Sequence, residues 1–278
     1  LVIYLILSAS FINLLIDSHI LSIVEVLGFW LLGSMAIFWS LKKIAWVEFC
    51  TAFGLFCAVS LIFLFSWNNY NPIAEMNSFN GINFSNLFFP VGPILFALYG
   101  RVGVMEIVKY FAPIRPVGKI RKAIIWGTVI PAVIYTLFII GVLAISSRVT
   151  EDGISGLIGK LPPALLLGIS IFGILELWTS YVAAGSDIHN ILRDDFRWSR
   201  KIAALVVIFI PLALYLINFG GLIFLISLTG GVFLALEGVF IALIWLKIHR
   251  WRISLINFIV LAVFVATLAM EVWKISHS

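Results

Sequence analysis

Apolar runs long enough to cross a lipid bilayer recur along almost the whole chain. A membrane-crossing helix needs about 20 consecutive apolar residues, and the sequence predicts such spans at 1–15, 20–40, 44–66, 88–110, 123–146, 164–190, 202–218, 221–246 and 253–273. The runs are continuously apolar, so they predict helices and not the alternating strands of a β-barrel. Only 11% of the residues are charged, against about 25% in soluble proteins. The sequence therefore predicts an all-α integral membrane protein with a single polytopic domain over residues 1–278.

The chain begins with Leu1 inside an apolar run, and no basic segment precedes that run. A secretory signal peptide carries a basic segment ahead of its apolar core, so residues 1–15 are not interpreted as one. We expect these residues to be the end of a truncated helix, and the sequence to be a fragment that lacks its true N-terminus.

Lys and Arg residues cluster in every second loop between the predicted spans. Most of the 18 basic residues lie in loops 41–43, 109–122, 193–201 and 247–252. Basic residues accumulate in cytoplasmic loops, so the sequence predicts that these four loops are cytoplasmic. The same distribution accounts for the net charge of +5. We therefore expect the lipid bilayer, and no nucleic acid, as a partner; the sequence predicts no oligomeric state.

The stretch "FALYGRVGVMEI", residues 96–107, combines helix breakers with charges inside a predicted span. Gly and Pro both weaken helices, and Arg101 would lie near the middle of the bilayer, where a charge is costly. An interruption at Tyr99–Gly103 would let Arg101 face a buried or water-lined site, as in transporters with broken helices. The alternative is a continuous helix with Gly packing and with Arg101 paired to Glu106.

Other ionisable side chains within the predicted spans are candidate functional groups. Glu176 shares a helix face with Thr179 and Ser180; this stripe is either an interhelical hydrogen-bond seam or the wall of a water-filled cavity or cation site. Glu237 follows Gly230–Gly231, which we expect to be a close-packing point. Glu237 is either a proton-carrying group or a buried structural acceptor. The acids nearer the span ends are Glu25, Glu48 and Asp187.

The stretch "PILFALYGRVGVMEI" (93–107) resembles the sixth helix of the amino acid–polyamine–organocation superfamily. The nearest branch is that of bacterial amino acid permeases of the tryptophan/tyrosine permease and amino-acid-transporter type. The residues that match its pattern are Leu95, Phe96, Ala97, Gly100 and Glu106, whereas Gly103 and Met105 depart from it. Residues 119–142, 165–196 and 221–244 resemble the seventh, eighth and tenth helices, so the similarity covers most of the chain beyond residue 88.

The resemblance implies the inverted-repeat transporter fold of the leucine-transporter type, with the first two helices and part of the third missing from this chain. In that fold the solute is held between the broken first and sixth helices. The substrate-binding residues that it implies here are Phe96, Ala97, Tyr99, Gly100, Arg101 and Gly103. Thr179 and Ser180 match the place where sodium-coupled relatives present hydroxyl groups to Na⁺. Arg101 occupies a position where the family has a neutral residue. A cation at this position would favour an acidic solute, replace a coupling cation or mark a non-transporting member.

These features together predict a secondary active transporter, a permease for an amino acid or similar small organic solute. The mechanism would be alternating access, coupled to H⁺ or Na⁺, with Glu106, Glu176 and Glu237 as the candidate proton carriers. The resemblance implies a bacterial inner membrane. The alternative is a non-transporting sensor or partner subunit on the same fold. The sequence does not predict an enzyme or a cofactor, because its histidines are not grouped with acids and no catalytic motif is present.

Overall fold

Helices form in every apolar run, and two of these runs contain a departure from α-helical geometry. The structure is a computed structural model that describes residues 1–15, 22–39, 41–68, 90–112, 116–146, 149–248 and 255–277. Within these ranges the α-helices are α1 (Val2–Leu15), α2 (Ser22–Ala36), α3 (Leu41–Asn68), α4 (Val91–Ala97), α5 (Arg101–Phe111), α6 (Val117–Ile145), α7 (Pro163–Asp194), α8 (Arg200–Leu216), α9 (Leu222–Ser227), α10 (Ala235–Ile248) and α11 (Leu255–His277). A 3₁₀ turn covers Ser155–Leu157, and a π-helix at Leu228–Leu234 joins α9 to α10. The described residues contain no β-strand, so the all-α prediction is confirmed.

Five helical stretches in the described part of the chain are long and apolar enough to cross a membrane. They are Trp46–Trp67, Val117–Ile145, Pro163–Asp194, Leu222–Ile248 and Leu255–Lys274. Only 11% of the apolar windows of α6 and α11 is buried inside the protein. Large apolar surfaces of this kind are unfavourable in water but not in lipid hydrocarbon. The chain is therefore an integral membrane protein.

Several basic residues that the sequence places in loops lie inside helix ends instead. Helix α3 already begins at Leu41, and α6 begins at Val117, so that Lys119, Arg121 and Lys122 occupy its first turns. Arg193 and Lys247 lie in the last turns of α7 and α10. Lys and Arg favour helix formation, and their long side chains reach the membrane interface from within a helix. The helices thus continue beyond the apolar spans, and the cytoplasmic location of these residues stays a prediction.

The described helices form two compact units, of which the first contains Leu1–Ser78 and Val102–Phe219. Helix α7 is central in this unit and packs against α1, α2, α3 and α8, while α3 also packs against α6. Small residues permit the close packing of α7. A Cβ atom on Gly173 would lie 2.0 Å from Cε1 of Phe11, and one on Gly185 would lie 2.6 Å from Cδ1 of Ile37. The core beside them contains the fully buried Tyr181 and Val182.

The second unit contains Phe79–Arg101 and Gly220–Ser278. Its centre is the π-helix, which packs against α4, α9, α10 and α11. A Cβ atom on Gly230 would lie 1.9 Å from the carbonyl oxygen of Gly92, so the two backbones touch directly. The predicted close packing at Gly230–Gly231 is confirmed, and its partner is α4.

The connection between α6 and α7 is organised around the carboxylate of Asp152. Its Oδ1 accepts hydrogen bonds from Thr150 Oγ1 at 2.6 Å and from the backbone N–H groups of Ile154 and Ser155 at 3.2 Å. The Ser155 hydroxyl donates to Oδ2. Burial raises the pKa of Asp152, but the hydrogen bonds from Ser155 and Thr150 and from the two N–H groups outweigh it and hold the pKa below its usual value. This carboxylate therefore acts as an ionised anchor for the loop.

Candidate functional site

The predicted interruption of the helix at residues 88–110 is present. Helix α4 ends at Ala97 and α5 begins at Arg101, which leaves Leu98, Tyr99 and Gly100 outside regular helix. The Leu98 N–H donates to Ile94 O at 3.0 Å, and the Tyr99 N–H donates to Phe96 O at 3.4 Å, so the last turn of α4 tightens before the chain leaves it. The continuous helix that the sequence allowed as an alternative is therefore wrong.

The interruption lies closer to the N-terminus than the predicted Tyr99–Gly103. Gly103 belongs to α5, where a Cβ atom on it would meet nothing within 4 Å. A glycine costs a helix only about 1 kcal/mol, and the good helix formers Met105 and Glu106 follow it. Gly100, in contrast, coincides with the break. A single glycine is therefore not enough to interrupt the helix. The break coincides with Gly100, which follows the short, proline-containing helix α4.

The residues expected to bind solute are distributed along this interruption. Phe96 and Ala97 end α4, Tyr99 and Gly100 lie in the break, and Gly103 lies in the first turn of α5. Tyr99 and Gly100 are exposed, and Phe96 is half-buried. The backbone of Arg101 begins α5, whereas its side chain lies outside the described part of the structure. The first N–H groups of a helix such as α5 have no partner within the helix and carry partial positive charge.

Glu106 has a described ion-pair partner on its own helix. Its Oε1 accepts a hydrogen bond from Lys109 Nζ at 2.8 Å, one turn further along α5, and both side chains are exposed. An exposed i,i+3 ion pair of this kind is weak. Glu106 is thus neutralised locally, and its role as a proton carrier stays a prediction.

Glu176 forms its side-chain hydrogen bond with a residue that the sequence did not single out. Its Oε2 accepts a hydrogen bond from the hydroxyl of Thr51 on α3, with an oxygen–oxygen distance of 2.8 Å. Thr179, although fully buried, donates its own hydroxyl to the backbone carbonyl of Glu176 at 3.0 Å. The expected seam is therefore real but crosses from α7 to α3 through Thr51. The Na⁺ site at Thr179 and Ser180 stays a prediction.

The surroundings of Glu176 are apolar and anionic. Glu48 on α3, Tyr4 on α1 and Tyr135 on α6 are close enough to interact with it electrostatically. No Lys or Arg whose side chain the structure describes forms an ion pair with it. A charged carboxylate at the centre of a membrane helix costs about 2.5–3.5 kcal/mol on insertion scales.

One buried acid in the second unit was missed by the sequence analysis. Glu271 on α11 is 2% exposed, and its Oε1 accepts a hydrogen bond from Lys274 Nζ at 2.9 Å. A Cβ atom on Gly231 would lie 2.2 Å from Cγ of Glu271, so the acid packs directly against the π-helix. The i,i+3 spacing of Glu271 and Lys274 at the end of a predicted span was the signal that could have identified the pair. Glu237 lies half-buried at the start of α10, and its role stays a prediction.

Metal-binding side chains do not converge in the described part of the chain. No group of three or more His, Cys, Asp or Glu residues there could hold a metal ion, and Cys50 and Cys57 are free thiols.

An interrupted helix, the buried carboxylate of Glu271 and the half-buried carboxylate of Glu176 define the class of this molecule, a polytopic all-α integral membrane protein with polar sites inside its apolar segments. Comparison of the chain with protein-family models, curated proteins and solved structures found no match. The similarity to amino acid permeases is therefore carried by the sequence pattern alone and stays a prediction.

Proposed function

We propose that the protein is a secondary active transporter that moves an amino acid or similar small organic solute across the membrane. The interruption between α4 and α5 is the observation that carries this proposal. Irregular backbone within an apolar segment is tolerated where it is buried in protein or lines a water-filled cavity. Transporters use such breaks to bind solute near the middle of the bilayer, through backbone groups and helix ends that the break sets free.

The residues around the break suit a solute with a carboxylate group. The first N–H groups of α5 attract negative charge, and the guanidinium of Arg101 is a cation that pairs with carboxylates. Phe96 and Tyr99 in the same stretch are aromatic residues, which supply apolar contact area. The proposed solute is therefore an amino acid or a related organic acid. Its transport would be coupled to H⁺ or Na⁺ and would proceed by alternating exposure of the site to the two sides.

The resemblance to bacterial amino acid permeases adds the remaining parts of the proposal. It supports an inverted-repeat fold of the leucine-transporter type and a bacterial inner membrane. The positive-inside rule supports a cytoplasmic position for the basic segments 41–43, 109–122, 193–201 and 247–252.

Gly100→Leu in the full-length protein tests the role of the break. A Cβ atom on Gly100 would meet only the carbonyl oxygen of Leu98, at 3.9 Å, so the substitution creates no clash in the described structure. We expect uptake of labelled amino acids into proteoliposomes to fall at least tenfold, because a bulky side chain fills the break and favours a continuous helix. Gly127→Leu, in open space on α6, is the matched control and should retain uptake.

Unchanged uptake by the Gly100→Leu protein would contradict the proposal that the break binds solute. Wild-type protein that binds labelled amino acid in a scintillation proximity assay, but shows no flux in vesicles, would instead favour the non-transporting sensor. The cationic residue Arg101 at the break is the feature that favours that second candidate.

A further inference from the structure

We propose that the ion coupled to transport is a proton, and that it binds to the carboxyl group of Glu176, from which the Thr51 hydroxyl then accepts a hydrogen bond. This inference rests on the transport function proposed above. It selects between the two coupling ions and assigns a role to Thr51, a residue in the middle of an apolar run of α3.

The hydrogen-bond geometry of Thr51 is the first support. Its Oγ1 lies 2.8 Å from Oε2 of Glu176 and 3.0 Å from the backbone carbonyl oxygen of Glu48. A hydroxyl group has a single hydrogen, so it can donate fully to only one of these two acceptors. When Glu176 is protonated, its O–H donates to Thr51 Oγ1, and the Thr51 hydrogen donates to Glu48 O. Both short distances are then satisfied at once.

The ionised state uses the same atoms in a different way. Without its proton, Glu176 requires a donor, and the Thr51 hydroxyl turns from Glu48 O to Oε2. The Glu48 carbonyl lies within α3 and retains the hydrogen bond of its own helix. Rotation of one hydroxyl thus accommodates both protonation states of Glu176, with no movement of either helix backbone.

The ionisable groups that interact electrostatically with Glu176 include a second acid. Glu48 on α3 is a like charge, and Tyr4 on α1 and Tyr135 on α6 are neutral phenols. No basic residue whose side chain the structure describes forms an ion pair with Glu176. Two like charges close together repel each other. Addition of one proton to Oε2 removes this repulsion, and its release restores the charge.

A metal cation fits the same place poorly. Cations such as Na⁺ need several oxygen ligands arranged around a central space, whereas Thr51 Oγ1 and Glu176 Oε2 are already in direct contact at 2.8 Å. Thr179, one of the two predicted Na⁺ ligands, donates its hydroxyl to its own helix. A proton needs only one acceptor and one hydrogen-bond partner, and both are present.

Infrared spectroscopy of the full-length protein in vesicles tests the hydrogen-bonded acid directly. We expect the C=O stretching band of a protonated carboxyl group to appear as the pH is lowered and to be absent in Glu176→Gln. Thr51→Val, which removes the hydroxyl and keeps the side-chain shape, should shift this band. Thr136→Val is the matched control, because the Thr136 hydroxyl is exposed and bonds only to its own helix. Absence of the band, or a band that Thr51→Val leaves in place, would overturn the inference.

Solute accumulation driven by an imposed pH gradient tests the coupling. We expect Glu176→Gln, whose amide resembles the protonated acid, to bind labelled solute but to lose at least 90% of gradient-driven accumulation. Glu151→Gln, an exposed acid in the α6–α7 loop, should accumulate solute normally. Thr51→Val should shift the pH at which uptake is half-maximal, whereas Thr136→Val should not.

The two proposals fail in different ways. Normal accumulation by Glu176→Gln, or accumulation by the wild type that follows a Na⁺ gradient and ignores the pH gradient, would overturn proton coupling at Glu176 while the transport function stands. Wild-type protein with no flux under any gradient would overturn the transport function and the coupling role together, even if the infrared band of Glu176 were present.

Discussion

A single carboxylate, that of Asp152, holds together the loop between α6 and α7. It receives hydrogen bonds from two hydroxyl groups and two backbone N–H groups. Thr150 extends this network, because its Oγ1 also accepts the Gly156 N–H at 3.1 Å. Gly153, with φ at +70°, provides the left-handed turn that brings these donors around the acid. One ionised side chain thus accepts several of the hydrogen bonds that order the loop.

The protection of this loop against hydrogen exchange should depend on pH through Asp152. Its pKa in the folded protein is lowered, so its contribution to stability is complete above the ordinary carboxyl pKa and is lost as the pH falls through the lowered value. We expect protection factors of the Ile154 and Ser155 amides to fall at acidic pH in the wild type. In Asp152→Asn they should be low at every pH.

Glu151→Gln is the control for this measurement, since the neighbouring acid is exposed and outside the network. Equal protection in the wild type and in Asp152→Asn would show that the loop does not depend on the carboxylate.

The sequence identified single residues that are energetically unfavourable in an apolar span better than it identified the partners of those residues. Glu176 was found because an acid in an apolar run requires an explanation. Thr51 was not, because a threonine in a helix commonly bonds to its own backbone, as Thr179 does here. Its second contact exists only because α3 packs against α7, and the two residues are far apart in the sequence. Pairings of this kind depend on tertiary packing, which one sequence does not specify.

At the scale of elements, the π-helix and the short helix α4 form one packed arrangement. Helix α4 has only seven residues, and isolated helices shorter than about 12–15 residues are marginal. Its stability therefore depends on contact with the π-helix, where the Gly230 backbone touches Gly92. Insertion of a side chain at this contact requires the two backbones to separate.

Gly230→Ala should destabilise the second unit. The added Cβ would lie 1.9 Å from the Gly92 carbonyl oxygen, which is backbone and cannot rotate away. Overpacking of this kind costs about 1–3 kcal/mol, so we expect a lower midpoint of thermal unfolding in detergent. Gly127→Ala is the control; nothing lies within 4 Å of its Cβ position, and it should stabilise α6 by up to about 1 kcal/mol. An unfolding midpoint for Gly230→Ala at or above the wild-type value would refute the direct backbone contact.

Helix interruption was predictable from the sequence, but the π-helix was not. Breakers around residues 90–103 predicted the gap between α4 and α5, with an error of one to a few residues at its ends. The stretch Leu228–Leu234 contains Gly230–Gly231, which predicted close packing and no particular helix type. A π-helix results from accommodating one additional residue within the turns, and its position depends on what α4 and α11 require of the adjacent surface.

At the scale of the whole molecule, many large apolar side chains of the described helices are exposed on the protein surface. Helix α3 shows this clearly, since Phe49, Phe53 and Leu64 are exposed along the span Trp46–Trp67. Cys50 and Cys57 are exposed on the same span. In the membrane these thiols therefore meet lipid, which water-soluble reagents do not reach.

Cys50 and Cys57 should resist a membrane-impermeant maleimide in intact vesicles and react after denaturation in SDS. The reaction requires contact between the thiol and the water-soluble reagent, which a lipid environment prevents. Val149 is an exposed loop position. A cysteine introduced there, in the variant in which Cys50 and Cys57 are replaced by serine, should react when the reagent is on the same side of the membrane. Rapid labelling of the two native cysteines would place that face of α3 in water.

The discontinuous composition of the second unit has a consequence for the synthesis of the protein. Gly92 leaves the ribosome more than a hundred residues before Gly230, the residue that its backbone contacts. At about 5–20 residues per second, α4 therefore waits roughly 10 s for its packing partner, with the first unit's α6, α7 and α8 emerging in between. During this interval a seven-residue helix with exposed breakers has to be sheltered by lipid, by the insertion machinery or by a chaperone. Assembly of the interrupted helix is thus a late event in biogenesis. Substitutions that disturb the C-terminal helices will therefore also disturb the packing of residues near the start of α4.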